Sequence, residues 1–140
     1  MWAVYATLSA IFAALVAVFA KLGLEKIDST LATTVRSIIM AAFLVMVSLL
    51  LGKFAGFTIN SFSGREWGLI ILAGVAGAIS WLFYFLALKS GIASEVVAID
   101  KLSIVLVVVL AALFLGEGWQ ASAVLGAVLM VVGAILIAMK

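Results

Sequence analysis

The chain has 140 residues, 69% of them hydrophobic and 10% charged, with a formal net charge of +2. Soluble domains hold about 45–50% apolar and about 25% charged residues, so these few charges cannot dress a water-facing surface, and lipid is the solvent that fits. The chain contains no Cys and no His, which excludes disulfides, thiol catalysis, the common zinc-ligand sets and Ser-His-Asp chemistry; with no basic cluster, nucleic acid is excluded as a partner as well.

A bilayer core is crossed by roughly 20 apolar residues in one helix. The first such run covers residues 2–20 and lacks the basic segment that opens a secretory signal. A short polar link from Lys21 to Thr30 leads to a second run at about 31–51. The longest link, 52–66, carries Lys53, Asn60, Ser61, Ser63 and Arg65. A third run spans 67–88, a tight connection from Lys89 to Glu95 follows, and a fourth run covers about 96–115, interrupted early by Asp100 and Lys101. The tripeptide Gly116, Glu117, Gly118 turns the chain into a fifth run at 119–139. Membrane barrels need alternating segments of about 10 residues, which these long unalternating runs are not. The expectation is an all-α membrane protein, a single domain over 1–140 with five transmembrane helices.

Small residues recur four apart as Ala73 with Gly77 and Gly74 with Ala78 on the third run, and as Ala123 with Ala127 on the fifth, where Gly126 and Gly133 lie seven apart. Such stripes let helices approach closely in lipid, within one chain or across a dimer seam, the fifth helix being the better seam. At Gly116 and Glu117 a hairpin is expected, with the glycine closing one helix and the acid opening the next, where the helix dipole favours it.

Five spans place the termini on opposite sides. Trp2, Trp67 and Trp119 each open a run from the N-terminal side, as an interfacial aromatic belt would. The other side carries Lys21, Lys26, Lys89 and Lys140, against Lys53 and Arg65 on the first. The positive-inside rule puts the lysine-bearing side in the cytoplasm, by a bias weak enough to suit insertion in both orientations.

Ionisable groups inside a membrane are costly and usually face a bundle interior or a water-filled cavity. Arg36 lies early in the second run, and Asp100 and Lys101 early in the fourth; at about 1.5 Å per residue all three fall roughly 7–9 Å below one interface. Trp81 and Tyr84, near the end of the third run, reach a similar depth. Charge and aromatic faces in one layer suit a polar organic solute, neutral or zwitterionic rather than a bare ion. The bland alternative is that Arg36 pairs with Asp100 to hold two helices while Lys101 reaches for headgroups.

The pattern of Trp81, Tyr84, Ala87 and Leu88, followed by Gly91 and Ala93, then by Phe114, Leu115, Gly116 and Glu117, and closing on Gly126 and Gly133, resembles the EamA-type repeat of the drug/metabolite transporter superfamily. Arg36 matches the arginine commonly found early in helix two of that repeat. The resemblance covers nearly the whole chain. Typical members join two five-helix repeats in opposite orientation and move small metabolites, often outward, across the cytoplasmic membrane. A single repeat then implies an antiparallel partner, most simply a second copy, with the solute site between the two. The sequence departs from full-length members in lacking a Pro near Ser103. The related small multidrug resistance proteins use an acid in helix one, where this chain has only Thr7 and Ser9 as polar groups. Asp100 is the mid-membrane acid left for coupling.

The expected function is a dual-topology homodimeric transporter of an organic metabolite or drug-like solute, with Arg36, Trp81, Tyr84, Asp100 and Lys101 on the substrate path. The alternatives are a non-transporting accessory subunit and a lipid-linked-sugar flippase. An enzyme is not expected, since no nucleophile–base pair is visible, and no cofactor or metal is implied.

Overall fold

A computed structural model describes residues 1–139. Among them the chain forms helices α1 (Trp2–Gly23), α2 (Ser29–Leu50), α3 (Gly64–Ser90), α4 (Ala93–Asp100), α5 (Ser103–Phe114) and α6 (Ala121–Ala138), a 3₁₀ turn at Ile59–Ser61 and no strand. Helices α4 and α5 follow one another in a single apolar stretch, Ala93–Phe114, so five stretches are long and apolar enough to cross a membrane, with mean hydropathies from 2.0 to 2.6. This is the expected five-span, all-α membrane architecture. Lys140, counted among the flanking charges, lies outside the described residues.

Local chemistry sets the helix starts. Asp28 caps α2 by accepting the Leu31 N–H at 2.9 Å, leaving one fewer orphan donor at the helix entry. Ser63 and Glu66 form a reciprocal cap on α3: the Ser63 N–H donates to Glu66 Oε2 at 2.7 Å and the Glu66 N–H to Ser63 Oγ at 3.3 Å. That cap starts α3 ahead of Trp67, where the apolar run begins. Within the spans, Thr7, Thr33, Thr34 and Ser37 donate their hydroxyl protons to carbonyls one turn earlier, which satisfies them where no water is at hand.

The described chain falls into two compact units, one made of Met1–Leu22 and the chain from Ser90 onward, the other of Gly23–Lys89. In the first, α6 packs against α4 and α5. The buried side chains there are Ala17, Ala98, Ala111, Ala127 and Ala134, so close backbone approach rather than bulky interdigitation makes the contact. On α6 it is Ala127 and Ala134 that are buried, while Ala123 and Gly126 are exposed. At about 100° per residue, one position along the helix separates an inward face from an outward one. Lys21 Nζ donates to Gly91 O at 2.8 Å, tying the end of α1 to the turn before α4.

In the second unit the buried side chains are Leu24, Ser29, Thr33, Phe85 and Leu88. Lys89 Nζ donates to Ile27 O at 3.0 Å, holding the end of α3 to the link before α2. The link between α2 and α3 turns at Gly52 and Gly56, with φ of 63° and 80°, a backbone that favours glycine. Beyond them a chain of rings runs from Phe54 to Phe57 (6.1 Å), Phe62 (5.7 Å) and Trp67 (5.4 Å). Trp67 Nε1 donates to Ile59 O at 3.0 Å. Apolar rings with one polar edge satisfied are what a membrane–water interface selects.

Candidate functional site

Arg36 enters α2 about two turns beyond its start. Its guanidinium carbon sits 3.7 Å from the centroid of the Trp81 ring and 5.5 Å from that of Phe85. Trp81 meets Tyr84 edge-on at 5.4 Å and Phe85 at 6.0 Å, and Tyr84 lies 6.3 Å from Phe85. The arrangement follows from helix spacing, since positions 81, 84, 85 and 88 share one face of α3. Leu88 and Phe85 are the buried floor of that face, with 0% and 3% exposure, while Arg36, Trp81 and Tyr84 are half-buried.

A cation over an indole face is attracted by the ring quadrupole, by about 2 kcal/mol or more when desolvated. The face of the guanidinium is thereby occupied and its in-plane N–H donors are not. Arg36 Nη1 is buried and finds no hydrogen-bond acceptor among the described residues. On neighbouring turns of α2, Thr33 donates to Ser29 O at 2.7 Å and Ser37 to Thr33 O at 2.8 Å.

Asp100 and Lys101 belong to the other unit. Lys101 Nζ lies 3.4 Å from Asp100 Oδ2, with Asp100 and Lys101 36% and 52% exposed. The pair marks a break between helices. The N–H groups of Leu102, Ile104 and Val105 bond Ile99 O, Lys101 O and Leu102 O, each three residues back. The α-type ladder therefore changes register across Lys101 and Leu102, where the sequence had shown only an interruption by charge. Lys101 also borders a groove of about 620 Å³ between α1, α4 and α6, lined by Ala14, Ala17, Val97, Met130, Gly133 and other apolar residues.

Gly116 takes φ of 70°, and the Glu117 N–H reaches back to Ala111 O at 3.3 Å. The last helix begins only at Ala121, with Gln120 as its cap and no acid in its first turn. Glu117 thus lies in the connection, not at the helix start, and with Trp119 and Gln120 it lines a cleft of about 300 Å³.

Among the sequence-selected residues, the structure brings Arg36, Trp81 and Tyr84 into one cluster and pairs Asp100 with Lys101. Phe85 is the member of the cluster that sequence reasoning passed over. Its spacing of four from Trp81 was the available signal, hidden because a phenylalanine in an apolar run looks like lipid-facing surface.

Residues 1–139 match the EamA-like transporter family. The chain is also similar to a Sinorhizobium sp. protein named "Uncharacterized transporter in cobO 3'region", with 41% identity over 137 residues, 98% of this chain and 96% of the relative. No solved structure matches it. With five spanning helices and a match along almost its entire length, the chain is a multi-pass membrane protein that belongs to the EamA-like transporter family.

Proposed function

We propose that this membrane transporter carries a small organic metabolite or drug-like solute, that residues 1–140 act as one five-helix domain, and that two copies in opposite orientation form the working unit in the cytoplasmic membrane. Arg36, Trp81, Tyr84, Asp100 and Lys101 line the substrate path in this reading. The supporting observation is the Arg36–Trp81 stack, a half-exposed charged and aromatic surface set in spanning helices. A charge in such a position belongs to a cavity rather than to lipid, and an enclosed path needs walls. Exposed small residues on α3 and α6, with Gly74 and Gly126 meeting no atom of the described residues within 4 Å of an added Cβ, offer surface on which a second copy can pack closely. The bias of flanking lysines and arginines, four on one side against two on the other, is weak enough to suit insertion both ways.

The native chain has no Cys, which makes the test direct. Single cysteines at Ser61 and Ser90 are labelled in intact cells with a membrane-impermeant thiol reagent. Labelling of each site in about half the molecules supports the antiparallel homodimer. Labelling of one site alone means that all copies point one way, which removes the dual-topology dimer and raises the accessory-subunit reading.

A further inference from the structure

We infer that Arg36 is an oxyanion-recognition site, and that its ligand is a free organic solute carrying a carboxylate or phosphate on a flat apolar body. The inference rests on the transporter reading for its biological sense and deepens it by naming a substrate class. Three observations on one helix pair carry it.

First, the stack on Trp81 at 3.7 Å uses the face of the guanidinium, whereas its hydrogen-bonding capacity lies in the plane, in a fork that matches a carboxylate or phosphate edge. Second, Nη1 is buried without an acceptor among the described residues. An unpaired charged donor removed from water is expensive to keep, and a charged acceptor relieves it better than a neutral one. Third, two of the three acids of the same unit are committed elsewhere, and the other lies outside the helices. Asp28 caps α2, Glu66 caps α3, and Glu25 sits in the link ahead of Asp28. The unit therefore presents a cation flanked by the rings of Trp81 and Tyr84, and the complementary ligand is an anion with a planar or apolar body. Because Nη1 is closed off in this state, binding requires the guanidinium to turn on its flexible stem, which the half-exposed position of Arg36 allows.

The same oxyanion chemistry is found in lipid headgroups, so the test separates the two sources. The full-length chain with Trp2, Trp67 and Trp119 replaced by Phe leaves Trp81 as the reporter in lipid-free detergent. Benzoate and phenyl phosphate are titrated against the uncharged benzamide. The expected result is saturable change in Trp81 emission with at least one anion and none with benzamide, at least tenfold weaker in R36Q and intermediate in R36K, which keeps the charge but loses the fork. An equal response to benzamide, an unchanged R36Q, or no saturable response to either anion overturns the inference. Adding phosphatidylglycerol vesicles gives the second arm. If they change the emission and abolish the anion titration, the oxyanion is a headgroup and the solute assignment falls. If the anions still titrate, it stands. Binding is read without flux, so solute flux without Arg36-dependent binding removes this inference and leaves transport intact, while binding without flux does the reverse.

Discussion

The guanidinium carbon of Arg36 on α2 lies 3.7 Å over the ring of Trp81 on α3, and the same ring touches Tyr84 and Phe85. One aromatic side chain thus joins a charge from one spanning helix to the buried floor of the next. If the stack holds α2 to α3, the two residues must be energetically coupled. A double-mutant cycle with R36M and W81L, read by reversible unfolding in mixed micelles, is expected to give a coupling of about 1–2 kcal/mol. A coupling below about 0.3 kcal/mol means that the two side chains are neighbours and nothing more.

Phe85 is 3% exposed beneath that stack. Phe85→Ala should destabilise by about 3–5 kcal/mol, whereas the closer-fitting Phe85→Leu should lose under about 1.5 kcal/mol. Similar losses for the two would show that Phe85 is not packed as a core residue.

Asp100 is an acid within the fourth span, paired with Lys101 at the helix break. In the proposed transporter, Asp100→Asn abolishes solute flux in proteoliposomes while crosslinking still detects the dimer. Wild-type flux in that variant takes Asp100 out of the mechanism.

Gly133 borders the 620 Å³ groove, and an added Cβ there meets no atom of the described residues within 4 Å. Gly133→Ala should therefore be neutral or stabilise by up to about 1 kcal/mol through the lower backbone entropy of alanine. Gly133→Leu should fold equally well and lower flux if solute passes along the groove. A clear loss of stability with Ala would mean that another chain occupies that face.

Gly116 ends α5 with φ of 70°, a conformation costing roughly 1–2 kcal/mol for a residue with a Cβ. Gly116→Ala is expected to lower stability by about that amount and Gly116→Asn by less, since asparagine tolerates the left-handed region. Equal stability of glycine and alanine forms would place no conformational demand on the turn.

Much of this protein was legible from residues alone, for a physical reason. A span must satisfy its own backbone in lipid, so a run of about 20 apolar residues has one structural outcome. The five spans follow from that constraint, while the turn was legible from Gly116 and the interruption of the fourth span from Asp100 and Lys101. The pairing of side chains was decided by tertiary structure. Arg36 had aromatic and acidic candidates in the sequence, and only the packing within the second unit set it on Trp81 with Phe85 beneath. On α6 the sequence offered Ala123, Gly126, Ala127 and Gly133 as small-residue contacts, and packing against α4 and α5 selected Ala127 and Ala134. Composition shows that small or aromatic residues are available, but a helix's rotation about its own axis depends on the neighbours it meets, and no single span encodes that.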